Sequence, residues 1–154
     1  MLWKLLKTSD DRALFLTRIV LGAVMFAHGA QKVFGWFGGA GLQPTLQMFG
    51  GRMGIPAPLA FLSIAAEFLG GIGLMLGLFG RVAGLAVAVN MIVAATLVHL
   101  RNGFFMNWSG SQRGEGFEYH LLAVALALAT LIGGSGAWSL DRVLLRRFGR
   151  LSQR

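Results

Sequence analysis

The chain has 154 residues, 55% of them hydrophobic and 13% charged, with a net charge of +8 and a mean hydropathy of +0.66. A water-soluble domain of this size covers its surface with more charge, so the composition excludes an ordinary soluble fold and points to a membrane domain. The basic residues gather near the two ends of the chain and beside its apolar runs, which suits topology and lipid contact and not a nucleic-acid surface.

A membrane-crossing helix needs about 20 mostly apolar residues. Residues 13–35, 57–79, 82–100 and 117–137 meet or approach that length. They predict an all-α integral membrane protein: a four-helix bundle, antiparallel and up–down, with residues 1–154 as one domain. In chain order, "MLWKLLK" suits a short interfacial segment. "TSDD" offers Ser9 or Asp10 as N-cap of the first span, with acids in its first turn. Lys4 and Lys7 before an apolar run also fit a signal peptide. Arg18 interrupts that run, the run is long, and no small-x-small site ends it, so a retained helix is expected. Residues 36–56 make a glycine-rich loop in which "PTLQMF" predicts a helical turn or two.

The second span contains "LGGIGLMLGLFG", where Gly73 and Gly77 form a small-xxx-small pair for packing inside the bundle or for a homo-oligomer face. A very short turn then makes spans two and three an antiparallel hairpin. "RNGFFMNWSGSQRGEG" is a polar, turn-rich loop. After the fourth span, "LDRVLLRRFGR" alternates apolar and basic residues as a basic amphipathic helix on the membrane surface. Ser139 is its expected cap, and Asp141 complements its N-terminal dipole.

Lys4, Lys7 and Arg12 precede the first span, Arg81 lies between spans two and three, and Arg142, Arg146, Arg147, Arg150 and Arg154 follow the fourth. The alternate loops carry Arg52, Arg101 and Arg113, with Lys32 at a span end. Because Lys and Arg are retained on the cytoplasmic side, both termini are expected there. The chain has no cysteine, so it cannot itself cycle a disulfide or hold an iron–sulfur cluster.

Ionisable residues inside a bilayer are costly and mark function by default. At about 1.5 Å of rise per residue they fall into two tiers. Arg18, Glu67 and Asn90 lie deep; His28, Lys32, His99, Glu118 and His120 lie toward the outer ends of their spans. Arg18 and Glu67 are expected to offset each other's charge. That pair reads either as a structural device fixing helix register or as part of a site for an anionic or quinone-like ligand. Lys32 either snorkels outward or meets a ligand head group, and the outer tier is a candidate for ligand binding or proton relay. Three histidines from three helices invite a metal or haem, but no His-x3-His or Glu-x-x-His pair supports one. Glu118 and His120 stand about 200° apart on a helix. No metal site is expected.

The ordered set "RIVLGAVMFAHGAQKVFG", "AAEFLGGIGLMLGLFGRVAGL", "HLRNGFF" and "GSGAWSLDRVL" resembles the DoxX family of small four-helix membrane proteins. Arg18, His28, Lys32, Glu67, Arg81 and Asp141 fall on the family's recurrent polar positions. The resemblance implies the fold and an inner or plasma-membrane location. Some members are subunits of thiosulfate:quinone oxidoreductase, and others accompany soluble redox enzymes. It therefore implies an integral subunit of a membrane redox system that binds a quinone or small reduced substrate, with no cofactor in the chain itself beyond that quinone. Two alternatives remain open: a non-catalytic scaffold or assembly partner for a redox enzyme, and a small transporter that acts as a dimer. The expected partners are the lipid bilayer, a redox enzyme subunit and another copy of the chain, with no nucleic acid.

Overall fold

The structure, a computed structural model, describes residues 2–151, and the described residues are helices joined by turns and loops. Helix α1 covers Leu2–Leu6, α2 Arg12–Phe34, α3 Leu42–Met53, α4 Ala57–Leu76, α5 Gly80–Ala94, α6 Glu118–Gly133 and α7 Leu140–Leu151. A π turn at Ala95–His99 and a 3-10 turn at Leu100–Asn102 prolong α5. Among the described residues, three helices are long and apolar enough to cross a membrane: Arg12–Phe34, Ala57–Leu76 and the continuous Gly80–Asn102. The fourth predicted span, 117–137, is a helix of 16 residues, Glu118–Gly133. It stops early because Gly134, at φ 86°, turns the chain into a loop whose carbonyls are used elsewhere in the fold.

Helix α2 packs against α4 and α6, and α5 packs against the same two, so the four long helices close a ring. Apolar side chains face outward: Leu62, Leu69, Leu122 and Ile132 are among the most exposed, Ile132 at 75%, whereas Arg18 is 0% exposed. A polar interior inside an apolar exterior is the arrangement lipid demands. The tightest approach is between α2 and α4. A Cβ on Gly71 would lie 2.5 Å from Phe26 N, and one on Gly29 2.5 Å from Phe68 Cα. These glycines bring the backbones of α2 and α4 together, and of the predicted Gly73 and Gly77 pair it is Gly77 that packs tightly inside the bundle. Gly73 faces the turn that follows α4, whereas Gly77 packs closely against Ser139 and the Arg18 guanidinium.

Local signals account for most helix ends. The cap of α2 is Asp11, not Ser9 or Asp10: its carboxylate accepts from Ala13 N at 2.7 Å and Leu14 N at 3.2 Å. With the helix starting at Arg12, its first turn holds no acid. Asp10 pairs instead with Arg142 of α7, whose hydrogen bond holds the Asp10 carboxyl below its usual value. Helix α3 is longer than the predicted turn or two, because Leu46 and Phe49 pack into a small core with Val33, Ile55, Ala60 and Ile64. Helix α7 carries the predicted basic amphipathic segment; Arg154 and the side chains of Phe148 and Arg150 lie outside the described residues.

Candidate functional site

The polar residues form two separate centres. The first lies at the end of the bundle that holds α1 and α7. Arg18 points from α2 into the space where α4 ends and the loop after α6 passes. Its guanidinium donates five hydrogen bonds, all to backbone carbonyls: Ser135 at 2.6 Å, Leu74 at 2.8 Å, Met75 at 2.6 Å, Ala137 at 3.1 Å and Trp138 at 2.9 Å. All five of its N–H donors are thus used. The last carbonyls of a helix carry partial negative charge and lack intrahelical partners. They supply the compensation that the sequence assigned to Glu67. The expected Arg18–Glu67 pair is therefore not formed, since Glu67 lies seven residues before Leu74 on α4, about 10 Å along the axis.

Asp141 completes this centre. Buried to 1% exposure, it accepts from Phe79 N at 2.7 Å, Gly80 N at 3.0 Å and Ser135 Oγ at 2.6 Å. It lies in the first turn of α7, as expected, and its hydrogen bonds serve the N-terminus of α5 as well, because the turn after α4 brings those amides to it. Ser139 Oγ accepts from Arg142 N at 3.4 Å and donates to Gly136 O at 3.0 Å. Phe79 and Trp138 have φ of 49° and 47°, unusual for bulky residues. Both positions present backbone groups to Asp141 or Arg18. Arg81 closes the neighbouring helix end, donating to Lys7 O at 3.1 Å and to Leu131 O and Ile132 O at the end of α6. Every polar group here has a protein partner, and the centre ties five segments together.

The second centre lies at the far end of the bundle. Lys32 of α2 forms an ion pair with Glu67 Oε2 of α4, and Asn90 Nδ2 of α5 donates to Glu67 Oε1 at 3.3 Å. The Glu67 side chain is 7% exposed and that of Lys32 23%. Lys32 thus turns inward to a counter-charge and does not snorkel away. The outer histidines only partly converge. The His99 and His120 rings lie 4.1 Å apart, tilted by 38°, whereas His28 lies beside the Tyr119 ring, at 5.9 Å. His99 Nδ1 lies 2.9 Å from Glu115 O in the loop. Glu118 turns to that loop too, accepting from Trp108 Nε1 at 3.2 Å. Among the described residues, no group of three or more His, Cys, Asp or Glu is placed to hold a metal ion.

His28 is exposed on the outside of α2, where a groove of about 450 Å³ is lined by Ala23, Val24, Ala27, His28, Gln31 and Phe37. Small residues on this face of α2 open the groove, and Gln31 donates to Phe37 O at 3.3 Å at its rim. Sequence reasoning missed Tyr119 here. It is the chain's one tyrosine, and its place beside His120 in the first turn of an apolar helix was the available signal. It also missed residues 135–138, whose contribution is made by backbone carbonyls and leaves no mark on residue type.

Comparison with known proteins finds relatives among membrane proteins. The chain is 32% identical over 126 residues to a Bacillus subtilis protein named "Putative oxidoreductase CatD", covering 82% of each chain. It is 30% identical to an uncharacterized membrane protein of Mycobacterium tuberculosis, covering 94% of this chain and 88% of that one. It is 27% identical to the Escherichia coli inner membrane protein YqjF, covering 93% of this chain and 100% of that one. No solved structure matches. The DoxX family pattern matches residues 13–100, a stretch that holds Arg18, His28, Lys32, Glu67 and Asn90, and the chain belongs to the DoxX family of membrane proteins.

Proposed function

We propose that the protein is an integral subunit of a membrane redox system, binding a quinone or a small reduced substrate at the far end of its bundle. In this reading all four long helices cross the plasma membrane as an up–down bundle. Both termini are cytoplasmic, α7 lies on the inner surface, and the whole chain is one domain. The observation that carries the reading is the Lys32–Glu67–Asn90 cluster: a buried ion pair with Lys32 still partly exposed, close to the histidine tier and to the groove beside His28. A purely structural ion pair has no need of such surroundings. The name of the Bacillus subtilis relative supports a redox role.

One observation favours the second reading, a scaffold or assembly partner for a redox enzyme. The Arg18–Asp141 centre is saturated by protein groups and has the character of a fold determinant. Purification from native membranes in mild detergent distinguishes the two, with mass spectrometry of what co-purifies. The redox-subunit reading predicts a bound quinone together with a redox enzyme. Recovery of an enzyme with no quinone, and no binding of added quinone, would favour the scaffold.

A further inference from the structure

A cavity of about 360 Å³ opens where the loop after α6 enters α7, lined by Trp138, Ser139, Leu140, Arg142, Val143 and Arg146. Ser139, Arg142, Val143 and Arg146 follow the three- and four-residue spacing of one helix face. That face sets two guanidiniums among apolar side chains that the fold leaves open. Trp138 is 67% exposed, and Leu140 and Val143 are exposed as well. The cavity stands at the level where α2 begins its apolar run. The Trp138 ring meets Phe15 of the first turn of α2 edge-on at 4.9 Å, and the Arg12 guanidinium lies 5.8 Å from the indole centroid. Leu16, the next residue of α2, is exposed. An exposed Trp among arginines at a span end marks the headgroup level of a bilayer.

One wall of the cavity is held from inside the fold. Trp138 O accepts from Arg18 at 2.9 Å, and Ser139 Oγ donates to Gly136 O at 3.0 Å. The open polar capacity therefore belongs to the arginines. Arg142 pairs with Asp10, whose side chain is 63% exposed, and an exposed pair of this kind is weakly held. Arg12, Arg142 and Arg146 all act on the Asp10 carboxyl, three cations on one acid. The other acids on these segments are occupied. Asp11 caps α2, and Asp141 is buried on the amides that open α5. Arg146 is exposed and has no ion pair among the described residues. The unmet charge is positive and stands beside open apolar surface. A free anion answers only the charge; a phosphate that carries acyl chains answers both.

We propose that this cavity binds one anionic phospholipid, its phosphate held by Arg146 and Arg142 and an acyl chain lying against Leu140, Val143 and Trp138. Asp10 competes with the phosphate for Arg142 and so tunes the affinity. The site is at the opposite end of the bundle from the Lys32–Glu67 cluster and does not depend on what binds there.

The purified full chain in mild detergent is titrated with dioctanoyl phosphatidylglycerol, dioctanoyl phosphatidylcholine and inorganic phosphate, and binding is read from thermal stabilisation. Phosphatidylglycerol is expected to stabilise the wild type, and the other two to have no effect at the same concentrations. Arg146→Gln is expected to weaken phosphatidylglycerol binding about tenfold, with an unchanged melting temperature in the absence of lipid. Arg147→Gln removes the same charge one residue on, at an exposed position outside the cavity wall, and is expected to change the affinity by less than about twofold. Asp10→Asn frees Arg142 and is expected to tighten binding about threefold. Equal losses in Arg146→Gln and Arg147→Gln would reduce the effect to diffuse attraction by a basic helix and overturn the site. Unchanged affinity in Asp10→Asn would overturn the place of Arg142 in it. An equal response to phosphatidylcholine would overturn the selection for negative charge. Stabilisation by inorganic phosphate would make this a soluble-anion site and overturn the lipid assignment. No stabilisation by phosphatidylglycerol would overturn the proposal outright.

Discussion

Lys32 and Glu67 close on each other from α2 and α4, while Arg18, on the same helix as Lys32, turns away from Glu67 to five backbone carbonyls. Two cations on one helix thus take two different kinds of counter-charge. One is a carboxylate whose partner Lys32 stays partly exposed; the other is the negative end of a helix and a loop, around a fully buried guanidinium.

That division predicts how mutations combine. Glu67→Gln leaves Lys32 without its counter-charge and should destabilise the protein by about 1–3 kcal/mol, Lys32 being partly solvated. Adding Lys32→Met should recover part of the loss, and adding Arg18→Gln should recover none. Thermal melts of the single and double variants in detergent measure the coupling. Rescue by Arg18→Gln would restore the pairing read from the sequence and contradict the structure.

Arg18→Lys should fail despite keeping the charge. An ammonium has three donors against five on a guanidinium and lacks the planar fork, so at least two of the carbonyls at residues 74, 75, 135, 137 and 138 lose their donor. A loss of about 2–4 kcal/mol is expected, seen as a fall in folded yield and melting temperature. Wild-type behaviour of Arg18→Lys would show that charge alone is what the site requires.

How far the sequence reveals this fold depends on the kind of signal. The apolar runs place α2, α4 and α5 within a few residues, because length and hydropathy are properties of the residues themselves. The inventory of polar candidates is legible for the same reason: Arg18, Glu67, Asn90, Lys32 and His120 all lie inside the bundle or at its far end. Their pairing is not legible. Arg18 is compensated by main-chain carbonyls, which every residue possesses, and a search for acidic partners passes over them. Asp141 is legible only in part. Its position in the first turn of α7 suggests service to that helix, and only the tertiary path of the turn after α4 brings Phe79 N and Gly80 N to it.

Asp141→Ala should consequently loosen α5 more than α7. The amides of Phe79 and Gly80 and the hydroxyl of Ser135 lose their acceptor together, at a cost of about 2 kcal/mol by the usual value of a helix cap. Hydrogen exchange should accelerate at residues 79–83 more than at residues 140–144. Faster exchange confined to α7 would mean that Asp141 serves its own helix.

Topology is testable without any ligand. A reporter fused after Arg154 should be active only if it requires the cytoplasm, and one inserted within residues 109–116 only if it requires the outside, following the distribution of Lys and Arg. The reverse pattern would place the Lys32–Glu67 end of the bundle on the cytoplasmic side.

In the proposed function the far end of the bundle binds a ligand and the Arg18 end does not. His28 tests it most directly, because it is exposed at the groove and so dispensable for folding. The measurement is the melting temperature of wild type and His28→Phe, each with and without a short-chain quinone at a hundredfold excess over its dissociation constant. A ligand that binds only the folded state stabilises it by about 2.7 kcal/mol at that excess. That shift is expected in the wild type and a much smaller one in His28→Phe, with equal melting temperatures in the absence of ligand. A full shift that survives His28→Phe, or none in the wild type, would contradict it.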